Sequence, residues 1–360
     1  LRKSESALEQ RCIKLLEKMG IKAQHVSMAL GMEQEFFIMP KSAYLKRLDI
    51  RQCGRALLND VPPRNQQFSD HYYGKLPSIV EEVLSEVERE LFEIGVPVKT
   101  RHKEVAINQF EFCPLFEDAC KAIDHNMIMM EILKEAFDRH GLVALFHEKP
   151  FNHLNGSGKH CNWSLNYIDE KGKPVNVFKV PKNGTEKQKN LFKMFVLLNL
   201  QAIVDYGKLY MSSISTHANE LRLGGHEAPP RIISSFLGDT VTELLDDKSI
   251  HEVQNLKEKV NTRFDVFQED TDRNRTSPYA FAGNKFEFRA VGSSQNTSFP
   301  MAVIAATITK EIDVVLEKFA KGATVEKVSS DLTETSRPAR FEGNGYSKEW
   351  VEEARKRGLY

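Results

Sequence analysis

The sequence predicts an α+β fold. Apolar residues recur at helical spacing in some stretches and alternate at strand spacing in others, and the two kinds follow one another without a regular βαβ rhythm. The 360 residues are 41% hydrophobic and 28% charged, enough apolar material for one large core or two smaller ones.

The elements follow in order. Residues 8–19 read as an amphipathic helix, with Leu8, Ile13, Leu15, Leu16 and Met19 apolar and Gly20 as its stop. Residues 32–39 have the length and composition of a strand, ended by Pro40. Residues 51–78, rich in Pro, Asn, Gln, Asp and Gly, read as one long loop, a kind that is functional or disordered. A second helix covers 80–94, with Val80, Val83, Leu84, Val87, Leu91 and Ile94 on one side and Gly95 after it. A third covers 117–139 and closes at Gly141, followed by a short strand at 142–146. Residues 152–159 form a Gly-containing loop, and 161–167 alternate like a strand. A long helix spans 186–211, a strand 285–290 and a helix 301–319. The last helix, 347–357, has Ser347 as its N-cap and Gly358 as its stop. No internal repeat is visible.

Fifty basic residues offset fifty acidic ones, so charge gives no reason to expect nucleic acid or an anionic membrane as a partner. The most apolar stretch, 195–204, is interrupted by Asn199 and Gln201 and flanked by Lys193 and Asp205, so it reads as a buried helix and not a membrane span. Five cysteines without a CxxC pair argue against a disulfide framework and for a reducing, cytoplasmic setting, each thiol a small buried apolar group.

Side chains at i and i+2 share one face of a strand. Glu33 and Glu35 are such a pair, either two acids on a solvent-facing edge or half of a metal site, because adjacent carboxylates repel unless a cation or proton lies between them. In 285–289, Lys285, Glu287 and Arg289 face one way and Phe286 and Phe288 the other. The phenylalanines belong in the core, and the charged face is either a salt-bridged surface or the floor under a charged ligand. Glu104 and Glu111 flank a short apolar, amide-bearing stretch; they either turn back to one point or are unrelated surface acids. The loop Asn155-Gly156-Ser157-Gly158-Lys159-His160 permits close backbone approach to a ligand and ends in an imidazole, but lacks the P-loop spacing. Arg222, Arg231, Arg273 and Arg275, with Glu227, fall in Pro-, Gly- and Asn-rich stretches. Guanidinium groups there suit phosphate and carboxylate recognition, or simply form a solvated basic surface.

Taken in order, these elements resemble one family. Glu33-Gln34-Glu35-Phe36, Lys103-Glu104-Val105-Ala106 leading to Gln109-Phe110-Glu111, His147-Glu148-Lys149-Pro150-Phe151, the 155–160 loop, Arg222-Leu223-Gly224 with Glu227-Ala228-Pro229-Pro230, Asn274-Arg275 and Glu287-Phe288-Arg289 together resemble glutamine synthetase along nearly the whole chain. Asp70-His71-Tyr72, Thr276-Ser277-Pro278 and Gly343-Asn344-Gly345-Tyr346-Ser347 are similar to the large, type III branch.

The resemblance implies a catalytic domain built on a curved antiparallel sheet flanked by helices over residues 1–328, with a C-terminal type III extension beginning at 329. It further implies a preceding β-grasp domain, continuation past Tyr360, and homo-oligomers of stacked rings. On that basis the 360 residues alone are expected to bind nucleotide and metal poorly. The implied activity is ATP-dependent joining of ammonia to the side chain of glutamate through γ-glutamyl phosphate. Glutamate, ammonia and ATP are the substrates, with Mg²⁺ or Mn²⁺ at two sites.

Carried over by motif, Glu35, Glu104 and Glu111 form one metal site, and Glu33, His160 and Glu287 the other. Asn155, Gly156 and Arg222 hold glutamate, Ser164 and Lys285 meet the nucleotide, Arg275 and Arg289 neutralise the transferring phosphoryl group, and Glu227 is the base. The chain departs from the pattern of the bacterial type I enzymes in three places. Glu104 and Glu111 are one residue closer, Asn162-Trp163 stands where a histidine-containing pair is usual, and Tyr279-Ala280-Phe281-Ala282-Gly283 leaves an arginine downstream of Arg275 unmatched. Two other readings stay open: a ligase of the same family that uses a larger amine such as a polyamine, and a ring-forming structural pseudoenzyme.

Overall fold

A computed structural model describes residues 1–58, 71–181, 184–225, 228–246 and 277–359. Among these residues ten strands make one sheet: β1 (Ala23–Pro40), β2 (Val98–Lys103), β3 (Gln109–Pro114), β4 (Glu117–Asp118), β5 (Leu142–Leu145), β6 (Lys159–Asp169), β7 (Pro174–Asn176), β8 (Ser235–Phe236), β9 (Tyr279–Ala282) and β10 (Lys285–Phe288). Their order is β2-β3-β1-β6-β10-β9-β8, with β4 and β5 also paired to β1 and β7 to β6. Every pairing is antiparallel except β8 with β9, and the sheet does not close on itself. Helices flank it, so the expected α+β class, with a mostly antiparallel sheet, is what the chain adopts.

The centre of the sheet is β1, and its period of two organises the molecule. On its even face Val26, Met28, Leu30, Met32, Phe36 and Ile38 are all buried. On its odd face Ala29, Gly31, Glu33 and Glu35 line a cavity. The neighbours repeat the division. Phe110 and Phe112 of β3, Cys161, Trp163 and Leu165 of β6, and Phe286 and Phe288 of β10 are in the core, while Glu111, His160 and Glu287 face the cavity.

The strand is longer than the 32–39 read from the sequence. Its first half mixes Gln24, His25 and Ser27 with apolar residues, and the pairing with β6, irregular between Ala23 and His25, is what makes it a strand.

The even face carries two cores. One packs the helices Arg2–Lys18, Glu186–Ile214 and Ser298–Ala320 on the first half of β1 and on β6 and β10. The other packs Ser78–Glu93 and Ala119–Arg139 on Phe36, Ile38, Phe110 and Phe112. Phe36 meets the rings of Phe137 and Phe146 at 5.7 and 5.6 Å, and burying such a side chain contributes about 1.5–3 kcal/mol.

Most helices match the sequence reading to within a few residues. Glu186–Ile214 starts with a capping box between Thr185 and Gln188, and the Ser347 hydroxyl accepts from the Trp350 amide at 3.1 Å as the N-cap of Lys348–Lys356. The stretch 195–204 is buried inside Glu186–Ile214, and among the described residues no helix is long and apolar enough to cross a membrane. The start of the expected long loop is in fact helical, as part of Leu48–Cys53, ending at Gly54 with φ 69°. The β2–β3 hairpin was not anticipated as strands. All five cysteines are free; Cys12, Cys113 and Cys161 are buried as expected, whereas Cys53 is exposed and Cys120 half-buried.

One buried acid makes stability depend on pH. Glu311, 4% exposed on Ser298–Ala320, is pushed up to about 7 by burial and by Asp205 across the helix interface. Its protonated form is the one the fold favours. That contribution is complete below the ordinary carboxylate value of 4.5 and is lost as pH rises through about 7. Glu311→Gln is therefore expected to be more stable than the parent at pH 8, on the order of 1–3 kcal/mol, with the difference closing toward pH 4.5. Urea denaturation at the two pH values measures this, and an equal difference at both would refute it.

Candidate functional site

The odd face of β1 floors a cavity of about 820 Å³. Strand register brings its acids together from distant stretches of chain. Glu33 lies opposite His160 on β6, Glu35 opposite Glu111 on β3, and Glu111 opposite His102 on β2. Glu104 follows β2 in the tight connection to β3, where Asn108 takes φ 59° and the Glu104 amide donates to the Gln109 carbonyl at 2.9 Å. That turn is what makes Glu104 and Glu111 converge.

The imidazole of His160 stands at the centre. Its Nδ1 is 3.0 Å from Glu33 Oε2 and 3.4 Å from Glu287 Oε1, and its Nε2 is 3.6 Å from Glu35 Oε1. Asn162 Nδ2 donates to Glu33 Oε1 at 2.9 Å, and the Gly158 amide donates to Glu35 Oε2 at 2.6 Å. Arg289 Nε lies 3.5 Å from Glu287 Oε1. At the other end His102 Nε2 is 2.9 Å from Glu104 Oε1 and 3.4 Å from Glu111 Oε1, and the Cys113 thiol donates to Glu111 Oε1 at 2.9 Å.

This much acid in one buried place shifts four titrations, those of Glu104, Glu111, His102 and His160. Burial, then the charges of Glu33, Glu104 and Glu35, holds Glu111 well above the carboxylate range. Burial and Glu35 also raise Glu104, against the hydrogen bond from His102. His102 is raised mainly by that bond. Burial works against a charged His160, but Glu35 and Glu33 outweigh it and the net shift is upward. Such mutual repulsion is relieved by a cation.

The donors fit one. Among the described residues three groups have ligand atoms within 4.8 Å of one another: Glu33, His160 and Glu287; Glu35, Glu111 and His160; and His102, Glu104 and Glu111. Glu287 Oε2 is buried with no hydrogen-bond partner among the described residues, as suits a ligand oxygen. Carboxylate oxygens with an occasional imidazole suit Mg²⁺ or Mn²⁺. Millimolar Mg²⁺ or Mn²⁺, unlike NaCl at equal ionic strength, is expected to raise the melting temperature by several degrees. Binding at a hundredfold its Kd stabilises by about 2.7 kcal/mol. A differential scanning measurement showing no ion-specific rise would count against these groups as sites.

The expected set of Glu33, His160 and Glu287 is thus together as read. The other set is rearranged: Glu35 and Glu111 group with His160, while Glu104 is drawn toward His102 and shares Glu111 with it. His102 was missed, although the i, i+2 rule applied to Glu104 points to it. Asn162 was noted only as a departure, and its side chain holds Glu33.

Asn155, Gly156 and Arg222 line the cavity beside Glu35, and Ser164 and Lys285 line it on the β6 and β10 side. Arg222 is not on a loop. It ends the helix His217–Arg222, is 2% exposed, and its guanidinium donates to the carbonyls of Val291 at 3.3 Å and Arg289 at 3.2 Å. Arg231 is apart from it at the surface, paired with Glu220 at 3.0 Å. Glu227, Arg273, Asn274 and Arg275 lie outside the described residues.

A buried polar network supports the floor. Gln34 Nε2 donates to the Ser293 carbonyl at 3.1 Å, and the Ser293 hydroxyl donates to the Glu35 carbonyl at 2.6 Å. Lys159 Nζ, pulled down to about 8 by burial, donates to Asn126 Oδ1 at 2.8 Å and the Gln295 carbonyl at 2.7 Å. Glu148, fully buried, accepts at Oε1 from the amide and hydroxyl of Ser294 at 3.0 and 2.7 Å, and its carbonyl accepts from the Ser157 amide at 2.8 Å. It ties the 155–158 loop to the loop after β10.

Comparison with known proteins agrees with this picture. A family profile described as glutamine synthetase, catalytic domain, matches residues 7–196, and one described as glutamine synthetase C-terminal domain matches residues 324–360. A glutamine synthetase of Bacteroides fragilis is 39% identical over the whole chain, which covers 51% of that protein. The type-3 glutamine synthetase of Dictyostelium discoideum is 38% identical over the whole chain, which covers 50% of it. The chain therefore spans about half the length of these curated relatives. A solved structure titled "Apo GmaS without ligand" shares the fold with a TM-score of 0.54 at 16% identity, over 99% of this chain and 72% of that one. With a catalytic-domain match over more than half of its length and an acid-lined cavity on an antiparallel sheet, the chain belongs to the glutamine synthetase family.

Proposed function

We propose that the chain is the catalytic core of a type III glutamate–ammonia ligase. The observation that carries this reading is the pooling of Glu33, Glu35, Glu104, Glu111, His160 and Glu287 on one cavity floor, with Arg289 beside Glu287 and Arg222 beside the 155–158 loop. Glu33, His160 and Glu287 would hold one divalent ion, and Glu35, Glu104 and Glu111 the other, with His102 beside the second. When bound, the ions offset the repulsion between two anionic substrates and stabilise charge on the transferring phosphoryl group.

The chain's own residues do the rest. A carboxylate does not accept ammonia directly, because hydroxide would have to leave. Asn155, Gly156 and Arg222 hold glutamate so that its γ-carboxylate oxygen attacks the γ-phosphorus of ATP, whose ADP departs. Ser164 and Lys285 meet the nucleotide. Arg289, with Arg275, neutralises the moving phosphoryl group. Glu227 takes a proton from ammonium or its adduct as nitrogen attacks the acyl phosphate, and phosphate leaves. The domain division near residue 328 and assembly into stacked homo-oligomeric rings belong to the same proposal, as does a cytoplasmic location.

The test is phosphate release by the full-length protein. It should require glutamate, ATP and Mg²⁺ or Mn²⁺ together, rise with ammonium, and yield glutamine. Release that ignores glutamate, or that prefers an organic amine to ammonium, would overturn the assignment.

A further inference from the structure

Residues 341–356 pass close behind the site without entering its cavity. The Tyr346 hydroxyl donates to the Ala228 carbonyl at 2.9 Å. Trp350 is 2% exposed in a small separate cluster with Ile232 and Ala354, stacked on Phe341 at 3.6 Å between centroids, with the Arg357 guanidinium 5.3 Å from its ring. The Phe341 amide donates to the Ser235 carbonyl at 3.0 Å, and Thr242 Oγ1 donates to Glu342 Oε1 at 2.9 Å. This segment therefore grips 228–235 at several points.

What it grips leads directly to Arg222. The Gly224 amide donates to the Pro229 carbonyl at 3.0 Å, the Ala228 amide to the Gly225 carbonyl at 3.3 Å, and the Gly225 amide to the Arg222 carbonyl at 3.2 Å. Gly224 and Gly225 are thus tied to Pro229 and Ala228, and Ala228 is bonded on one side to Gly225 and on the other to Tyr346. Gly224 has φ 77°, and among the described residues nothing lies within 4 Å of an added Cβ there, so the chain just after Arg222 depends on its hydrogen bonds for stiffness. The far end of Arg222 is fixed by the carbonyls of Arg289 and Val291, so its placement in the cavity depends on both anchors.

We infer that Tyr346 is a positioning residue for Arg222. The C-terminal segment holds Ala228, and through the Ala228–Gly225 and Gly225–Arg222 hydrogen bonds the arginine that the proposed function assigns to glutamate. The inference rests on that assignment, but its mechanical part stands apart from it. A chain of contacts alone does not demonstrate coupling, so the test measures it.

Tyr346→Phe removes one hydroxyl from a residue 40% exposed, so the fold should persist. In the full-length protein, KM for glutamate is expected to rise about three- to tenfold, the worth of one hydrogen bond, with KM for ATP unchanged. In a double-mutant cycle with Arg222→Lys the two effects should be non-additive. Amide hydrogen exchange in peptides covering 222–233 should quicken by a similar factor, whether or not the protein turns over glutamate. An unchanged KM for glutamate in an active Tyr346→Phe enzyme, KM values for glutamate and ATP rising together, additive effects in the cycle, or unchanged exchange would each overturn the inference. A parent enzyme that ignores glutamate but shows the quickened exchange in the variant would sink the proposed function and leave the mechanical link standing.

Discussion

Glu287→Gln is expected to reduce glutamate-dependent phosphate release by about a thousandfold, roughly 4 kcal/mol of lost transition-state stabilisation. The substitution keeps the volume and one oxygen, so the 1% exposed site should not collapse. What it removes is charge. Glu287 Oε1 sits between His160 Nδ1 at 3.4 Å and Arg289 Nε at 3.5 Å, and Oε2 has no hydrogen-bond partner among the described residues. Under the proposed function one carboxylate would serve both as ligand in the Glu33–His160 group and as counter-charge to Arg289. Losing it should weaken the proposed divalent site and remove the counter-charge that holds Arg289 in place. Mn²⁺ titration followed by electron paramagnetic resonance should show two sites in the parent and one in the variant, with an unaltered melting temperature in the presence of chelator. Full activity in a folded Glu287→Gln enzyme would mean that the chemistry occurs elsewhere.

How much of this was readable beforehand follows from what each feature depends on. Periodicity is local. The split of Lys285, Glu287 and Arg289 from Phe286 and Phe288 was legible in five residues, and the structure places the phenylalanines at 0% exposure and the other three on the cavity. The pairing of Glu33 with Glu35 was legible for the same reason. The same rule would have found His102 two residues before Glu104; it was overlooked because 98–103, mostly charged, does not look like a strand until β3 pairs with it.

The grouping of Glu104 with His102 could not be read, since it turns on a 2.9 Å contact between a strand and the connection that follows it. Nor could the support beneath the floor. Lys159 finds its partners 33 and 136 residues away, and Glu148 finds Ser294 146 residues away. Nothing local distinguishes such a buried lysine or glutamate from an exposed one. The loop 155–160 was legible as a place of close approach, but to a ligand; the nearest approach within the protein is to the Arg222 side chain.

That approach makes Gly158→Ala the second large effect. An added Cβ would lie 2.2 Å from Arg222 Nη2 and 2.6 Å from its Cζ. Yielding is difficult, because the guanidinium is bonded to the Arg289 and Val291 carbonyls. Gly158 is fixed too: its amide donates to Glu35 Oε2 at 2.6 Å and its carbonyl accepts from the Glu35 amide at 3.2 Å. The methyl group must therefore push out the arginine or pull Glu35 away from Glu111 and His160. Overpacking of this kind destabilises by about 1–3 kcal/mol, and two pinned neighbours place this case at the upper end.

A fall in melting temperature of roughly 6 °C, weaker divalent binding and a loss of glutamate-dependent turnover are expected together. Gly207→Ala is the control. That glycine lies inside Glu186–Ile214 with nothing within 4 Å of an added Cβ, so the same change should stabilise by about 0.4–1 kcal/mol and leave activity alone. If Gly158→Ala behaved like Gly207→Ala, the close packing of Arg222 on the loop would have no energetic weight. The loop's glycines would then answer to the ligand alone, and activity, not stability, would be the only property to suffer.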